Sequence, residues 1–354
     1  MSETMKALVY HGKGNIALEK VPKPHIEKPN DVIGKVTGCA ICTSDLHIYE
    51  GYFPMLHDGL ILGHEFCVEV AEAGEAVKDK YPVGKHYVVI PMSFCGHCTM
   101  CRMGAQVYCE NGGGFGLKQD GAYAEYIRIP DPESCMYEVP EGKTDDDVLL
   151  VPDMLATARF GIENAKVKEG QTIAVIGLGP VGFSACALLK KIYKCTVIAI
   201  TGRDSSLDIV KAQGLADYTF NSHDPEVVQK VLAVTGRRGP TSVVDTAGSQ
   251  ESLNEAFAMV GKEGTVSTIA TFNGSLSVPF NVIAMKNITI TTGVQKAEGI
   301  PEMMQYVKDG TLDTKFMLTH KVSLDNIMDG FKTFGLGGRR ADGCIKVVVV
   351  PGLK

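Results

Sequence analysis

The chain has 354 residues, enough for two domains, and its 45% hydrophobic and 21% charged residues fit an ordinary globular protein. Its net charge of −6 and pI of about 5.9, without a basic stripe, argue against a nucleic-acid-binding surface. No apolar run approaches the roughly 18 residues of a membrane span.

The cysteines indicate the compartment. There are 11 of them, some at metal-binding spacing and the others scattered, which is typical of a reducing environment. The amino terminus lacks the apolar core of a signal peptide, so we expect a cytoplasmic protein. Asn273-Gly274-Ser275 matches a glycosylation sequon, to which we assign no role because no export is expected.

The first third of the chain reads as short strands separated by glycine and proline. The predicted strands cover residues 5–10, 32–37, 86–91 and 123–129. This pattern predicts a small barrel or sandwich of mixed pairing.

A first candidate metal site combines Cys42 with His64. Zn²⁺ accepts thiolate and imidazole ligands, and a catalytic zinc needs only three protein ligands. Asp153 is the third candidate, Glu65 is either a ligand or a neighbour of the site, and Asp45 can orient His64 through its other ring nitrogen. Each residue alone also fits a structural role, such as a buried small thiol for Cys42. The hypothesis depends on their combination.

A second candidate metal site has the spacing Cys-x2-Cys-x2-Cys-x7-Cys. Its members are Cys95, Cys98, Cys101 and Cys109. Four thiolates close a tetrahedron around one Zn²⁺ and leave no exchangeable position, so this site is predicted to be structural. Buried thiols, a redox pair or an iron–sulfur centre are the alternatives.

From Thr144 the pattern changes to alternating helices and strands. Thr144 with Asp147 forms a candidate capping box for a helix that continues through Asp153 to about Ala165. Helices at 181–191, 205–212 and 225–235 then alternate with six strands, which predicts a doubly wound parallel sheet. Those strands cover residues 172–176, 196–200, 218–220, 241–245, 265–269 and 288–292, and a further strand covers 345–350.

A glycine fingerprint follows the first of these strands and opens a helix, the context in which it predicts dinucleotide binding. Its residues are Gly177, Gly179, Val181 and Gly182, with Leu178 and Pro180 between them. Gly177 permits the tight turn, Gly179 lets the backbone approach a pyrophosphate, and Gly182 lets the helix pack close to the strand.

The end of the second strand predicts the cofactor. NAD enzymes place a carboxylate about 20 residues after the fingerprint to hold the ribose hydroxyls. Thr201 and Gly202 stand there instead, and Arg203 follows, which indicates NADP. In the alternative, Arg203 caps the next helix or stays in solvent.

These motifs resemble the zinc-containing medium-chain alcohol dehydrogenases over essentially the whole chain. The match includes Cys42-Thr43-Ser44-Asp45-Leu46-His47, Gly63-His64-Glu65, the four-cysteine segment, Asp120-Gly121-Ala122-Tyr123-Ala124-Glu125-Tyr126 and the glycine fingerprint. The resemblance implies an α/β fold with a GroES-like β-barrel catalytic domain and a Rossmann domain. We expect residues 1–153 and 295–354 in the former and 154–294 in the latter. Asp153 stands where the best-known members have a second cysteine, as in the branch with NADP-dependent secondary-alcohol dehydrogenases.

The resemblance also implies roles for single residues. Ser44 matches the hydroxyl that takes the alcohol proton, and His47 matches the imidazole that passes it on. Thr157 matches a position that packs on the nicotinamide. Lys346 matches one that can reach the pyrophosphate, and a solvated lysine is the alternative. Relatives form dimers or tetramers, so a homo-oligomer is expected.

The sequence thus predicts an NADP-dependent zinc enzyme with two Zn²⁺ per chain, one catalytic and one structural, with NAD as the less favoured cofactor. Its expected substrate is a small alcohol or the corresponding aldehyde or ketone. A polyol or amino-alcohol dehydrogenase is the nearest alternative. A non-catalytic zinc-binding protein on the same fold is the alternative from another class. Tyr52, Phe53, Ser93 and Phe115 are candidates for the substrate pocket.

Overall fold

The computed structural model describes residues 3–272 and 274–353, so Asn273 of the sequon lies outside the described residues. The chain divides into two compact units. One contains the residues up to Asp153 and from Lys296 onward, and the other is Met154–Gln295. No helix among the described residues is both long enough and apolar enough to cross a membrane.

The first unit is dominated by β-strands, most of them antiparallel. A seven-stranded sheet runs in the order Met136–Glu138, His86–Val89, Glu65–Ala73, Val32–Ala40, Lys346–Val350 and Leu318–Ser323, with Tyr126–Ile129 also paired to Val32–Ala40. Smaller sheets contain Ile16–Pro22, Thr4–Tyr10 and Leu60–Ile61, and Met92–Ser93 with Gly113–Gly114. The helical segments are Thr43–Tyr49, Thr99–Arg102, Gln106–Tyr108, Pro132–Cys135, Asp145–Val148, Ile300–Lys308, Lys315–Met317, Leu324–Asn326 and Ile327–Phe334.

The central strand pair of this unit decides where the candidate metal ligands lie. Val32–Ala40 is almost continuously buried and pairs antiparallel with Glu65–Ala73. The register places Ala40 opposite Glu65, so the end of one strand lies beside the start of the other. Cys42 follows the first strand by two residues and His64 precedes the second by one. The pairing therefore brings two residues that are far apart in sequence to the same sheet edge.

The second unit is a six-stranded parallel sheet with helices between the strands. The strand order is Tyr218–Asn221, Thr196–Thr201, Thr172–Ile176, Ser242–Asp245, Thr265–Thr268 and Thr289–Thr291. The helices are Ala156–Asn164, Pro180–Lys191, Asp204–Ala212, Val227–Val234, Gln250–Met259 and Phe280–Lys286. The inner strands are buried along nearly their whole length, as covering by helices on both faces requires. This is the predicted doubly wound sheet.

The predicted continuous helix from Thr144 to about Ala165 is wrong. The Thr144–Asp147 capping box is present, with Thr144 N–H donating to Asp147 Oδ2 at 2.7 Å, but this helix ends at Val148. Pro152 lacks an N–H, and its ring would clash with the carbonyl of Val148 four residues earlier. A single π-helical turn, Val151–Leu155, carries the chain past the proline and contains Asp153.

Candidate metal centres and nucleotide loop

Four potential metal ligands converge in the first unit. Cys42, His64, Glu65 and Asp153 each offer one atom, and these atoms all lie within 4.8 Å of one another. His64 Nε2 is the ring nitrogen that faces the carboxylates, 3.5 Å from Asp153 Oδ2 and 4.0 Å from Glu65 Oε1. The three residues proposed as ligands from the sequence thus meet in one place, with Glu65 beside them.

Asp45 positions two residues of the cluster, Cys42 and His64. Its Oδ2 accepts hydrogen bonds from the Cys42 backbone N–H at 2.8 Å and from the Tyr123 hydroxyl at 2.7 Å. Its Oδ1 lies 3.4 Å from His64 Nδ1, and its side chain is fully buried. This arrangement holds the imidazole with Nε2 toward the other donors, as metal-bound histidines generally require. Tyr123 is a supporting residue that sequence reasoning missed.

Lys346 contacts the metal-ligand cluster, a role that sequence reasoning missed. Its side chain is completely buried, and its ammonium donates to Glu65 Oε1 at 2.7 Å. Burial would lower the pKa of Lys346, but the charges of Glu65 and Cys42 outweigh it and raise that pKa. A solvated lysine is therefore excluded, and the geometry ties this residue to the metal-ligand cluster, while its contact with a pyrophosphate stays a prediction.

The charges of the cluster fit a divalent cation. With Cys42 as thiolate, the carboxylates of Glu65, Asp153 and the buried Asp45 bring the total to four negative charges against the single ammonium of Lys346. Burial raises the pKa of Glu65 to about 7, an effect that Lys346 opposes, and Glu65 Oε2 is a buried atom without a hydrogen-bond partner. A cation of charge +2 offsets most of this excess, and thiolate, imidazole and carboxylate are the ligands that zinc prefers.

Ser44 and His47 lie on the helix Thr43–Tyr49 that begins at the cluster. Ser44 Oγ is 3.2 Å from His64 Nε2, so its hydroxyl borders the space where the donors meet. His47 follows three residues later on the same side of the helix, its ring 5.1 Å from that of Tyr52. Partial burial lowers the pKa of His47, which keeps this imidazole a free base at neutral pH.

The residues predicted to line the substrate pocket differ in their exposure to solvent. Tyr52 is 41% exposed, whereas Phe115 is fully buried and packs edge-on against Phe66 at 5.2 Å. Ser93 is also buried, and its hydroxyl accepts a hydrogen bond from the Gln119 side chain at 3.3 Å. Phe115 therefore belongs to the core of its unit.

The four-cysteine segment folds into a compact sulfur cluster. Cys109 Sγ lies 3.8 Å from Cys98 Sγ and 3.6 Å from Cys95 Sγ, and all four sulfurs lie within 4.8 Å of one another. A tetrahedral zinc with Zn–S bonds of about 2.3 Å has sulfur–sulfur edges of about 3.8 Å. A multi-iron cluster would hold the sulfurs farther apart because iron and sulfide lie between them.

Backbone and side-chain donors favour thiolates in this cluster. Gly112 N–H donates to Cys109 Sγ at 3.1 Å, and Cys98 N–H donates to Cys95 Sγ at 3.4 Å. A backbone hydrogen bond from His97 is the largest of several that lower the pKa of Cys95 to about 6. Burial and the neighbouring thiolates raise the pKa of Cys101 to about 12, and a cation would relieve this repulsion. The cluster therefore fits a closed zinc site.

The glycine loop of the second unit has the geometry of a phosphate-binding turn. Gly177 has a φ of +90°, which only glycine adopts without strain, and Gly179 is the N-cap of helix Pro180–Lys191. A Cβ on Gly179 would meet no atom within 4 Å, so the backbone there is open to a ligand. The helix amino terminus, with Val181 in its first turn, faces this opening.

Gly182 provides the sharpest test of the loop. A Cβ at this position would lie 1.8 Å from the carbonyl oxygen of Gly177, so Gly182→Ala must displace the loop. Overpacking of this kind costs about 1 to 3 kcal/mol. We expect dinucleotide affinity, measured by fluorescence of the reduced cofactor, to fall roughly fivefold to a hundredfold.

Ser184→Ala is the matched control for Gly182→Ala. Ser184 is buried in the same helix, and its hydroxyl has no hydrogen-bond partner, so its removal should leave affinity unchanged. Circular dichroism verifies that both variants fold. Wild-type affinity in Gly182→Ala would contradict the close packing of helix and loop.

The residues at the end of strand Thr196–Thr201 lie next to the glycine loop. Thr201 is buried, and its carbonyl accepts from the Ser222 N–H at 3.1 Å. Arg203 occupies the N-cap position of helix Asp204–Ala212, but its side chain makes no capping bond. Its Nη2 donates to the Leu178 carbonyl at 2.8 Å, which joins the strand end to the glycine loop. Thr157 lies in the first turn of helix Ala156–Asn164 and is partly buried.

Two family models match the chain. Residues 28–141 match the model described as alcohol dehydrogenase GroES-like domain, and residues 180–309 match the one described as zinc-binding dehydrogenase. An alcohol dehydrogenase of Cupriavidus necator is 30% identical over 374 aligned residues, which cover 99% of this chain and 100% of the relative. A sorbitol dehydrogenase of Bacillus subtilis is 29% identical and covers 99% and 98% of the two chains.

Solved structures agree with the described fold. An alcohol dehydrogenase from Thermus sp. ATN1 is 28% identical with a TM-score of 0.88, covering 98% of this chain and 99% of that chain. A zinc-binding dehydrogenase from Sinorhizobium meliloti, bound to NADP, is 26% identical with a TM-score of 0.88, covering 99% and 100%. An Escherichia coli alcohol dehydrogenase complexed with NADH is 25% identical with a TM-score of 0.87, covering 98% and 99%.

Proposed function

The chain belongs to the zinc-type alcohol dehydrogenase family, and from this premise we propose that it transfers hydride between NADP(H) and a small alcohol or the corresponding carbonyl compound. The observation that carries the proposal is the convergence of Cys42, His64 and Asp153 on one point. A non-catalytic protein on this fold has no need for that donor set with Ser44 beside it.

We propose two zinc ions per chain. The four cysteines would hold a structural ion, and Cys42, His64 and Asp153 would hold a catalytic one, with Glu65 kept by Lys346 as a neighbouring carboxylate. A zinc held by these three residues would supply Lewis acidity to a substrate oxygen.

The proton path is proposed to begin at Ser44. Its hydroxyl borders the donor cluster and can accept the proton that an alcohol loses on oxidation. His47 lies one helical turn farther along and, as a free base with a lowered pKa, can take that proton onward. Protonation of His47 would remove this acceptor. Alcohol oxidation should therefore decline as the pH falls through the pKa of His47, which lies below its ordinary value.

NADP is the proposed cofactor because of the strand end. A 2′-phosphate is repelled by a carboxylate and bound by a guanidinium, and this chain has Thr201, Gly202 and Arg203 at that position. The Leu178 contact holds Arg203 against the loop expected to bind the diphosphate. Among related structures one holds NADP and another NADH, so the family allows both cofactors.

Arg203→Ala tests the cofactor preference. Hydrogen bonds to a charged group contribute about 1.5 to 3 kcal/mol, so kcat/KM for NADP should fall roughly tenfold to a hundredfold, mainly through KM. The value for NAD should change little, and Thr201→Asp should shift preference toward NAD. Arg238→Ala, which removes an exposed guanidinium after helix Val227–Val234, is the control and should behave as wild type. A wild-type enzyme that favours NAD would contradict the proposal.

The substrate is proposed to be a small alcohol, with a polyol as second candidate because of the similarity to sorbitol dehydrogenase. A steady-state comparison of short primary alcohols, secondary alcohols and polyols, each with its carbonyl partner, separates these classes. If a polyol gives the highest kcat/KM, a polyol replaces the small alcohol as the proposed substrate. None of the 11 cysteines, all of which lie among the described residues, forms a disulfide, which is compatible with the proposed reducing, cytoplasmic location.

A further inference from the structure

We propose that His223 is a further specificity-determining residue, whose imidazole Nε2 binds the 2′-phosphate of NADP together with Arg203. The inference rests on the proposed NADP preference and adds to it a residue outside both the glycine loop and the strand-end motif. His223 is exposed to solvent and follows strand Tyr218–Asn221, the neighbour of strand Thr196–Thr201 in the parallel sheet.

The imidazole lies directly over Gly202. A Cβ on Gly202 would be 2.4 Å from His223 Nε2, 2.9 Å from its Cε1 and 3.0 Å from its Cδ2, so the Nε2 edge of the ring faces this backbone. Gly202 does not have a positive φ, and its backbone conformation therefore does not demand glycine. A side chain at this position would instead compete with the His223 ring for the same space.

The turn that carries His223 is held in place by hydrogen bonds. The His223 N–H donates to Asn221 Oδ1 at 2.8 Å, the Ser222 N–H donates to the Thr201 carbonyl at 3.1 Å, and the Asp224 N–H donates to the Asn221 carbonyl at 3.1 Å. A side chain presented by an ordered turn loses less entropy when a ligand binds. The imidazole is thus presented at the carboxyl end of the strand, where dinucleotide folds bind the adenosine ribose.

The chemistry of this position suits a phosphate oxygen. Imidazole can donate a hydrogen bond from Nε2 both when protonated and as the neutral Nε2–H tautomer. Arg203, anchored on the Leu178 carbonyl, follows Gly202 directly, so two donors flank the same glycine. A carboxylate side chain at position 202, as an NAD enzyme would use near this point, would have to displace the ring. His223 therefore both binds the phosphate and disfavours the NAD arrangement.

Binding of two adenosine fragments tests the inference without turnover. Adenosine 2′,5′-bisphosphate and adenosine 5′-monophosphate differ only in the 2′-phosphate, and calorimetry gives the affinity of the full-length protein for each. His223→Phe keeps an aromatic ring but no donor, and should weaken bisphosphate binding about tenfold or more while the monophosphate is unaffected. His223→Gln keeps a donor and should retain most of the affinity. Glu226→Gln, at an exposed position beyond the same turn, is the control.

The outcomes separate this inference from the proposed function. If the wild type binds the bisphosphate no more tightly than the monophosphate, the NADP proposal itself fails. If the wild type prefers the bisphosphate and His223→Phe keeps the full preference, only the role of His223 is overturned. Equal weakening of both fragments would mean that His223 contacts the adenosine, which also overturns the role proposed here.

Gly202→Ala provides an independent check. Its Cβ must push the imidazole aside, so it should reduce bisphosphate affinity in the wild-type background. In the background of His223→Phe, where the donor is already lost, the same change should cost less, since the two positions are in contact. Equal losses in both backgrounds would contradict a shared site.

Discussion

Cys42→Ser should reduce turnover to background while the protein stays folded and still binds the dinucleotide. A serine hydroxyl is not ionised at neutral pH, so the donor cluster loses its thiolate and with it most of its affinity for zinc. Zinc content should fall from two ions to one per chain. Because the glycine loop belongs to the other unit, cofactor affinity should stay at the wild-type value.

Two further substitutions show whether the loss is specific. Cys101→Ser, in the four-cysteine cluster, should also remove one zinc, but its main effect should be a lower thermal midpoint. Cys195→Ser changes a buried thiol of the second unit, whose Sγ donates to the carbonyls of Lys168 and Tyr193 at 3.5 Å. It should alter neither zinc content nor kcat. Wild-type kcat in Cys42→Ser would refute a catalytic role for the Cys42–His64–Asp153 cluster.

Ser44→Ala should lower kcat for alcohol oxidation by roughly a hundredfold to ten thousandfold, the range typical of a lost general acid–base group. The physical reason is that the hydroxyl beside His64 is the first acceptor for the alcohol proton. Zinc content and cofactor affinity should not change, because Ser44 is not among the converging donors. Pre-steady-state kinetics, with a deuterated alcohol to identify hydride transfer, gives the rate of the affected step.

Thr43→Ala is the control for this experiment, because it removes an exposed hydroxyl from the adjacent position of the same helix. His47→Gln should cost less than Ser44→Ala, since water can take over part of the outward transfer. It should also abolish the fall in oxidation rate at low pH that the lowered pKa of His47 predicts. Near wild-type hydride transfer in Ser44→Ala would show that the proton leaves by another route.

Local sequence patterns predicted most of the fold. The family and the combination of a GroES-like unit with a Rossmann sheet are confirmed, and strand Thr172–Ile176 has the predicted bounds. The sheet is readable because its apolar strands alternate with helices at short range. The prediction of a continuous helix through residue 153 was wrong because a capping box indicates where a helix begins and not where it ends.

The contacts that the sequence did not predict join positions far apart in the chain. Glu65 and Lys346 are 281 residues apart, and only the pairing of Val32–Ala40 with both Glu65–Ala73 and Lys346–Val350 brings them together. The space around Gly202 likewise depends on the His223 ring, 21 positions later in the chain and just after the neighbouring strand. A sequence motif consists of residues at fixed spacing. These partners have no fixed spacing, so no motif predicts their contact.

The most direct test of the account is a zinc titration that follows turnover with NADP. A chelator that strips accessible zinc should remove one ion per chain and all activity, while the closed cysteine cluster keeps its ion and the thermal midpoint is preserved. Adding zinc back should restore NADPH formation from a short alcohol in proportion to the second ion bound. Full activity in protein that keeps only the zinc of the four-cysteine cluster would contradict the claim that the Cys42–His64–Asp153 cluster is the catalytic metal centre.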